Sequence, residues 1–331
     1  MKSKKKFNWG VLGCARIAVN AFIPGAKKDK NAKVLGIASR SLKRAEATAQ
    51  ELRIPRAYGS YDDMLADPDI DAVYVPLPNH MHCEWTIKAV KAKKHVLCEK
   101  PMAPTIAEIK RMIAAAKKNK VVLMEAFMYR LHPQWMWVFD AIKKGKIGKP
   151  RVIISDFSFF FDGSKTDYRM DPEKGGGSLL DVGCYSVNSS RMCFGAEPVR
   201  VTARSHYSKK GIDLTTAGII EFPGDRSTIF SSSFESEGKW SVTIQGPKGY
   251  ISVTDPWLPG NKKPKLELMV NGKKSVVQAP AANQYCQEAM HLTECVRKGK
   301  QPKYPASDAI ATMKALKAIE KSAKTGKSVK V

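Results

Sequence analysis

The first 126 residues alternate short apolar runs with longer segments in which apolar residues recur every three or four positions. The apolar runs lie at 7–12, 33–38, 72–75, 95–98 and 121–125. Short buried strands separated by amphipathic helices are typical of a parallel sheet covered by helices on both faces. The pattern therefore predicts a doubly wound α/β domain over residues 1–126, with its ligand-binding crevice at the carboxyl ends of the strands.

After residue 127 the pattern changes to strand-like runs separated by turn residues. Helices are predicted at 133–143 and 179–193, and strands at 199–207, 215–222, 227–234, 240–245, 250–253 and 266–277, the last folded at Asn271-Gly272. Successive strands joined by short turns favour a large, mostly antiparallel open sheet. Two helices at 284–297 and 307–324 close the chain. Residues 127–331 are therefore predicted to form an α+β domain, and the last helix is a candidate to pack back on the first domain.

The chain is strongly basic. Its 331 residues include 56 Lys or Arg and 31 Asp or Glu, which gives a formal net charge of +25. A charge of this sign attracts nucleic acid and other polyanions. The lysines are spread along the whole chain, however, and no helix-turn-helix, zinc finger or interleaved aromatic stripe accompanies them. The sequence therefore favours a basic solvated surface over specific nucleic-acid binding, whose signature would be a steep salt dependence.

Three features concern the cellular location. The seven cysteines include no CxxC pair, which fits neither a disulfide framework nor a zinc ribbon. No apolar run approaches the ~20 residues that a membrane helix requires. The basic residues 1–6 are not followed by an apolar signal core. We therefore expect a cytoplasmic protein with reduced thiols that does not bind membranes.

A glycine turn follows the first predicted strand. Gly13 ends the strand, and the next four residues open the first helix: Cys14, Ala15, Arg16 and Ile17. In dinucleotide-binding domains the exposed amides at this place meet a pyrophosphate. The pattern here is GxAxxA rather than GxGxxG, and Ala15 adds a methyl group where the cofactor passes closest. The position favours dinucleotide binding, and a tight turn without a ligand is the alternative.

The second predicted strand ends in Ser39 and Arg40. An NAD-preferring site would carry an acidic residue near this strand end, whereas a hydroxyl beside a guanidinium suits the 2′-phosphate of NADP. Lys43, one turn further on, adds positive charge. The sequence therefore predicts NADP as the cofactor, and the alternative is that Ser39 only caps the following helix.

Two further places combine residues that transfer protons. Lys100, in Glu99-Lys100-Pro101, ends a central strand at the predicted crevice, and a Lys-Pro pair permits a cis peptide. Asp181 and Tyr185 are four residues apart, so they share one face of a predicted helix. A nearby ammonium stabilises a phenolate, which lets a tyrosine relay a proton. The alternatives are a surface lysine, a helix-capping aspartate and a core tyrosine.

Other polar residues carry weaker signals. Glu125 and Arg130 are candidates for substrate contact, with a structural salt bridge as the alternative, and Tyr285 has a similar status. Residues 80–84 contain two histidines, a cysteine and a glutamate. No distant partner of suitable spacing completes a metal site there, so no metal is predicted.

Six motifs together resemble one family over nearly the full chain. They are the glycine turn with residues 16–18, ASRS at 38–41, PLPNHMH at 76–82, EKP at 99–101, EAFMYRLHPQ at 125–134 and LDVGCY at 180–185. The family is that of glucose-fructose oxidoreductase, inositol dehydrogenase and the rhizopine catabolism proteins, which are NAD(P)-dependent oxidoreductases. Residues 125–134 and 176–188 look most like the NADP-dependent aldose dehydrogenases that act on D-xylose or D-glucose.

The resemblance implies a role for each matching residue. Lys100 and Tyr185 match the residues that handle the proton, and Asp181 matches a substrate-orienting carboxylate. The amides of residues 13–17 would hold the pyrophosphate. The remaining implied contacts are Ser39 and Arg40 at the 2′-phosphate, and Leu77, Pro78, Asn79, His82, Glu99 and, from the second domain, Arg169 at the nicotinamide half.

The resulting hypothesis is an NADP-dependent oxidoreductase that oxidises an aldose at C1 to the aldonolactone. The implied fold is a Rossmann domain followed by an α+β domain, whose open sheet commonly joins the copies of a homodimer or homotetramer. The enzyme alternatives are an NADPH-dependent sugar-ketone or dihydrodiol-type reductase and a glucose-fructose type transhydrogenase. The non-enzyme alternative is a catalytically silent NADP-binding sensor, which the joint presence of Lys100, Asp181 and Tyr185 disfavours.

Overall fold

The computed structural model describes residues 5–163 and 167–331, so the first four residues of the basic N-terminal segment lie outside the described part. The chain divides into two compact units. Unit 1 is Met1–Met128 with Asn283–Ile310, and unit 2 is Tyr129–Ala282 with Ala311–Val331. The sequence predicted a single division after residue 126, whereas the structure groups residues 283–310 with unit 1.

The strands of unit 1 form one parallel sheet. Their bounds are β1 Phe7–Leu12, β2 Ala32–Ala38, β3 Arg56–Tyr58, β4 Ala72–Val75, β5 His95–Glu99 and β6 Leu123–Ala126. The sheet has the order β3-β2-β1-β4-β5-β6, which is that of a doubly wound dinucleotide-binding domain. The predicted Rossmann domain is confirmed. The strand order reverses between β1 and β4, and ligands of such sheets bind at the carboxyl ends of strands there.

The α-helices of the described residues, in chain order, are α1 Ile23–Ala26, α2 Leu42–Glu51, α3 Tyr61–Ala66, α4 His82–Lys91, α5 Ile106–Asn119, α6 Pro133–Lys143, α7 Cys184–Phe194, α8 Gln284–Lys298 and α9 Asp308–Thr325. In α5 the Thr105 side chain caps the first turn, and Ile109, Met112 and Ala116 are buried on one face. Across residues 5–163 and 167–331, no helix combines the length and the apolar character needed to cross a membrane.

Residues 283–310 pack against the rest of unit 1 through α8. Gly25 in α1 lies so close to this helix that a Cβ there would stand 2.8 Å from the Cβ of Tyr285. The helix buries Tyr285, Ala289 and Leu292, which are three and four positions apart. The amphipathic pattern predicts this helix, but the contact joins residues far apart in the chain. Local periodicity therefore leaves open the unit to which α8 belongs.

Unit 2 contains a nine-stranded sheet. Its strands are β7 Val152–Ser158, β8 Arg200–Tyr207, β9 Asp213–Phe222, β10 Arg226–Ser233, β11 Lys239–Gly246, β12 Gly249–Val253, β13 Lys265–Val270, β14 Lys273–Gln278 and β15 Val329–Lys330. They lie in the order β14-β13-β12-β11-β7-β10-β9-β8-β15. The pair β7 and β10 is parallel and the other pairs are antiparallel. The predicted large, mostly antiparallel sheet is confirmed.

The helix predicted at 179–193 begins with a wider turn. Residues Leu179–Gly183 are π-helical, and α7 continues from them. Short π-helical turns are frequent at functional sites. The helix packs against β7, where the hydroxyls of Ser155 and Ser186 are 2.8 Å apart. The π-helical turn therefore places Asp181 at a local irregularity, just before the regular helix that carries Tyr185.

Candidate active site

The glycine turn of unit 1 lies at the end of β1. Gly13 has φ +113°, a conformation that residues with side chains rarely adopt, and its amide donates to the carbonyl of Ala38 at 2.9 Å. A Cβ on Gly13 would lie 3.2 Å from the side chain of Leu77. The next residues are accessible to solvent, Cys14 and Ala15 in part and Arg16 and Ile17 more fully. The structure therefore shows an exposed turn between a strand and a helix, as a pyrophosphate site requires.

The end of β2 carries the residues predicted to select the 2′-phosphate. Arg40 is exposed, and so is Lys43 in the first turn of α2. Ser39 is 8% exposed, and its hydroxyl accepts the amide of Ser41 at 3.3 Å. The N-cap of α2 is Ser41, whose hydroxyl accepts the amide of Arg44 at 3.4 Å. The capping role that was the alternative for Ser39 thus belongs to Ser41.

A second guanidinium joins this strand end to the glycine turn. Arg44 donates to the carbonyl of Cys14 at 3.0 Å. Burial raises the pKa of the Tyr61 hydroxyl, and the nearby charges of Arg40 and Arg44 oppose that shift. The same hydroxyl lies 3.6 Å from the position of a Cβ on Gly13. Two cations therefore stand near the turn, and this arrangement fits a dinucleotide that carries an extra phosphate.

His82 fixes the loop that follows β4. The residue is fully buried, with Nε2 2.6 Å from the carbonyl oxygen of Leu77 and Nδ1 3.0 Å from that of Pro101. Burial lowers the pKa of His82 to about 4. The imidazole thus joins two loops at the edge of the sheet, and its contact with the nicotinamide half stays a prediction. In the same loop, Leu77 and Asn79 are buried and Pro78 is half-buried.

Lys100 follows β5, and the peptide bond between it and Pro101 is cis. The adjacent carboxylate of Glu99 accepts the Lys100 amide through Oε2 at 3.2 Å and the hydroxyl of Tyr74 through Oε1. Tyr74 is fully buried and stacks on Phe22 with ring centroids 3.8 Å apart. Burial raises the pKa of Tyr74 well above its ordinary value, so its hydroxyl keeps the proton that it donates to Glu99. The Glu99 carboxylate is thus held by Tyr74 and in turn holds the backbone amide of Lys100.

Two residues predicted to touch the substrate are buried in unit 1. Glu125, at the end of β6, is 7% exposed, and its Oε1 accepts the amide of Met102 at 2.8 Å. Tyr285, in the first turn of α8, is 5% exposed. Burial raises the pKa of Tyr285, and the charges of Glu99 and Glu288 add to the shift. Substrate contact by Glu125 and Tyr285 stays a prediction.

Unit 2 pairs two of the predicted residues with each other. Arg169 donates from Nε to Oδ2 of Asp181 at 2.7 Å, and from Nη1 to both carboxylate oxygens of Asp167 at 3.2 Å. The charge of Asp181, a residue only 4% exposed, raises the pKa of Arg169. A glycine is needed beside this pair, because a Cβ on Gly176 would lie 2.3 Å from the carbonyl oxygen of Arg169. Asp181 therefore presents a buried carboxylate that is ion-paired with a guanidinium.

Tyr185 lies in an aromatic cluster. It is 4% exposed, and its ring centroid is 5.2 Å from those of Phe157 and Trp257 and 5.9 Å from that of Tyr129. The hydroxyl of Tyr129 donates to Oδ1 of Asn188 at 2.5 Å. Aromatic neighbours in edge and tilted arrangements hold the phenol ring in one orientation. The ring of Tyr185 is thus packed in the core of unit 2. Its hydroxyl is the group that the sequence predicts to transfer the proton.

The predicted residues therefore fall into two groups. Those at the carboxyl ends of the parallel strands, Lys100 among them, belong to unit 1, and Asp181 and Tyr185 belong to unit 2. Their joint action stays a prediction. Arg130, a candidate for substrate contact, is 2% exposed in unit 2. Within residues 5–163 and 167–331, no three side chains of His, Cys, Asp or Glu come together as a metal site.

Two partners in these groups were missed by the sequence reasoning. Tyr74 supports Glu99, and the signal for it was a phenol inside an otherwise apolar strand, since a buried hydroxyl needs a hydrogen-bond partner. Asp167 supports Arg169 from two residues away. A carboxylate at that spacing is common in surface loops, so the sequence held no distinctive signal for it.

Comparison with known proteins gives the family. Residues 7–127 match the model of an oxidoreductase family with an NAD-binding Rossmann fold, GFO/IDH/MocA, and residues 135–252 match the C-terminal domain of the same family. The chain is 38% identical to an uncharacterized oxidoreductase of Rhizobium meliloti, over 96% of this chain and 97% of that protein.

Two further relatives have named activities. The chain is 33% identical to D-xylose 1-dehydrogenase (NADP(+)) 2 of Haloferax volcanii, over 98% of this chain and 99% of that protein. It is also 33% identical to trans-1,2-dihydrobenzene-1,2-diol dehydrogenase of Mus musculus, over 88% of each chain.

A solved structure gives the same fold. Aldose-aldose oxidoreductase from Caulobacter crescentus has a TM-score of 0.92 to this chain at 26% identity, over 99% of this chain and 100% of that one. Both family models and the full-length likeness agree with the parallel sheet and the open sheet described above. The chain therefore belongs to the GFO/IDH/MocA family, and it is an NAD(P)-dependent oxidoreductase that acts on CH–OH groups.

Proposed function

We propose that the enzyme oxidises an aldose at C1 with NADP and releases the aldonolactone. The observation that carries the substrate assignment is the setting of Asp181 in unit 2. Its carboxylate is ion-paired with Arg169 and lies four positions before Tyr185. An ionised carboxylate accepts hydrogen bonds from sugar hydroxyls and donates none. The likeness to D-xylose 1-dehydrogenase and to aldose-aldose oxidoreductase supports a sugar.

Oxidation at C1 removes a hydride from the carbon and a proton from its hydroxyl, so that C1 becomes the lactone carbonyl. When bound, NADP supplies the hydride acceptor. We assign the hydroxyl proton to Tyr185, with the ammonium of Lys100 favouring the phenolate that receives it. Asp181 accepts a neighbouring hydroxyl and orients the ring. The same groups serve the reverse reduction, so direction is set by the substrates and not by these residues.

The choice of NADP rests on charge at the end of β2. Arg40 and Arg44 stand near the glycine turn, and residues 39–44 contain no carboxylate. An NAD site would use an acidic side chain there to hold the ribose hydroxyls, and such a side chain would repel a 2′-phosphate. We assign the amides of residues 13–17 to the pyrophosphate, and Ser39 and Arg40 to the 2′-phosphate. The cofactor named for the Haloferax volcanii relative supports this assignment.

The test is a cofactor-reduction assay with a substrate panel. NADP or NAD is offered with pentoses, hexoses, cyclitols and trans-dihydrodiols, and absorbance at 340 nm is followed. We expect D-xylose or D-glucose to give the highest kcat/KM and NADP to be preferred over NAD. Tyr185→Phe serves as the matched control, because it removes the hydroxyl that takes the proton and keeps the ring that packs in the core. Turnover of a dihydrodiol or a cyclitol with no turnover of any aldose would contradict the proposal.

A second candidate is oxidation of a trans-dihydrodiol. It is favoured by one observation, the 33% identity to the mouse dihydrodiol dehydrogenase, which equals the identity to D-xylose 1-dehydrogenase. The two activities share the transfer of a hydride from a CH–OH carbon. A ratio of kcat/KM values for D-xylose and a dihydrodiol, measured in the same panel, decides between them.

We also propose that the open sheet of unit 2 joins two copies of the chain. The register sets Ile154 of β7 beside Ile229 of β10, and Ile229 beside Ile219 of β9. These side chains are 36%, 48% and 45% exposed, respectively. A contiguous apolar row on an exposed sheet face marks an interaction surface. Light scattering should show a dimer or tetramer that Ile229→Lys dissociates, whereas Met290→Lys, at a 40% exposed apolar site on α8 of unit 1, should leave it intact. Dissociation by both variants, or by neither, would contradict this interface.

A further inference from the structure

Three side chains contact the backbone of residues 100–102. The amide of Lys100 donates to Oε2 of Glu99 at 3.2 Å. The next carbonyl, that of the proline, lies 3.0 Å from Nδ1 of His82. The third residue donates its amide to Oε1 of Glu125 at 2.8 Å. Three successive residues are thus each tied to a different side chain, at the end of a strand that faces the predicted cofactor.

The hydrogen bond between the Met102 amide and Glu125 is buried. Glu125 is 7% exposed, and Met102, whose amide it accepts, is fully buried. A hydrogen bond to a carboxylate is shorter and stronger than one between neutral groups, and burial protects it from exchange with water. Glu125 is the last residue but one of β6, which pairs in parallel with β5, so the carboxylate reaches across from the neighbouring strand. Met102 is therefore fixed by the rigid sheet and not by its own loop.

His82 also contacts the loop that lies against the glycine turn. Its other ring nitrogen, Nε2, is 2.6 Å from the carbonyl oxygen of Leu77. The side chain of Leu77 would be 3.2 Å from a Cβ on Gly13, so this residue lies against the turn that follows β1. This fully buried imidazole lies between the two carbonyl oxygens, and as a neutral ring it has one N–H and donates to one of them while packing against the other.

We propose that Glu125 and His82 are positioning residues that act on the reaction through Lys100. Glu125 and His82 hold the two residues that follow Lys100, while Glu99 holds the amide of Lys100 itself. The inference rests on the proposed function, in which the ammonium of Lys100 favours the tyrosinate. It assigns Glu125 a different role from substrate contact, and His82 a different role from cofactor contact. A displacement of a reacting group by about 1 Å can lower the rate by about 100-fold, so loss of these contacts is expected to lower turnover measurably.

Kinetics of Glu125 variants provide the first test. Glu125→Ala removes the acceptor for Met102, and we expect kcat to fall by about 100-fold while KM for the sugar changes by less than about threefold. Glu125→Gln keeps a carbonyl oxygen in place and should restore most of kcat. Glu46→Ala removes an exposed carboxylate of α2 and serves as the charge-matched control. A KM effect that glutamine does not restore would assign Glu125 to the substrate and overturn the proposal.

A double-mutant cycle separates positioning from direct contact. In a Lys100→Met background the positioned group is gone, so adding Glu125→Ala should lower kcat by less than about twofold. His82→Asn, which shortens the reach to the proline carbonyl, should show the same non-additivity. Equal losses in the presence and absence of Lys100 would overturn the proposal.

Hydrogen exchange tests the ties without any substrate. The Met102 amide should exchange at least about tenfold faster in Glu125→Ala than in wild type and stay protected in Glu125→Gln. Unchanged exchange in Glu125→Ala would overturn the inference even if the enzyme is active. Failure of the proposed function gives a different result, because wild type would then reduce NADP with none of the aldoses while the exchange pattern is as expected.

Discussion

Lowering the pH from 7 to 4 should destabilise unit 1 through His82. Burial in the folded state lowers the pKa of this ring to about 4, whereas an unfolded histidine has a pKa of about 6.5. Between these values the unfolded chain binds more protons than the folded one, so stability falls as the pH falls. The contribution is fully present above a pH of about 6.5 and is lost progressively down to about 4.

The size of this loss follows from the two pKa values. A gap of about 2.5 units, at about 1.36 kcal/mol per unit, limits the loss to about 3.4 kcal/mol. The same relation gives about 2 kcal/mol at pH 5 and about 3 kcal/mol at pH 4. Burial is the largest cause of the shift; the carbonyls of Pro101 and Leu77 oppose it, and the charge of Lys100 adds to it.

The assay is urea unfolding at a series of pH values, followed by circular dichroism, for wild type and His82→Gln. Burial also lowers the pKa values of His95, His132 and His291, but these residues titrate in both proteins. The difference between the two stability curves therefore isolates His82. Wild type should lose about 3 kcal/mol more than the variant between pH 7 and pH 4. His80→Gln, at an exposed site, should follow wild type.

An increase in the stability of wild type relative to His82→Gln at low pH would show that the ring is charged in the folded state. If the ring were held as an imidazolium, both of its nitrogens would donate to the facing carbonyls, and the folded pKa would lie above that of the unfolded chain. Wild type would then gain stability relative to His82→Gln as the pH falls.

Three further substitutions test the sites separately. Arg40→Ala should weaken NADP binding by about 10- to 100-fold, from the loss of a charge-assisted contact worth about 1.5–3 kcal/mol, and NAD binding by less than about twofold; equal losses in fluorescence titrations would remove the 2′-phosphate argument. Tyr185→Phe should lower kcat by about 10²- to 10⁴-fold with NADP affinity unchanged, and a fully active variant would contradict its role. Gly176→Ala places a Cβ 2.3 Å from the carbonyl oxygen of Arg169 and should destabilise unit 2 by about 1–3 kcal/mol in urea unfolding. Gly238→Ala, where the nearest atom is 3.9 Å away, should be neutral, and an equal effect of both would dismiss the steric argument.

The order of elements could be predicted from the sequence because periodicity is local. The helix at 133–143 has the predicted bounds, and the strands from 200 to 278 lie within about two residues of the predicted ones. The strand β7 was not predicted. It pairs with β10 and β11, so no adjacent turn marks it as one arm of a hairpin, and it lies between segments that the pattern left without an element.

The candidate site could be predicted residue by residue, but its supporting contacts could not. The motifs name Lys100 and Asp181, since their types and positions carry the chemistry. The ion pair between Arg169 and Asp181 spans twelve positions and depends on a glycine that lets the two segments approach. The two carbonyls that His82 faces come from different loops, and only the folded sheet edge brings them to one ring.

In the proposed mechanism, Lys100 and Tyr185 act together on one proton. The most direct measurement is a double-mutant cycle of kcat/KM for NADP reduction by the preferred aldose, with Lys100→Met, Tyr185→Phe and the combined variant. We expect each single substitution to lower kcat/KM by about 10²- to 10⁴-fold, and the double variant to be no more than about threefold less active than the less active single variant. Losses that multiply in the double variant, or full activity of either single variant, would contradict this mechanism.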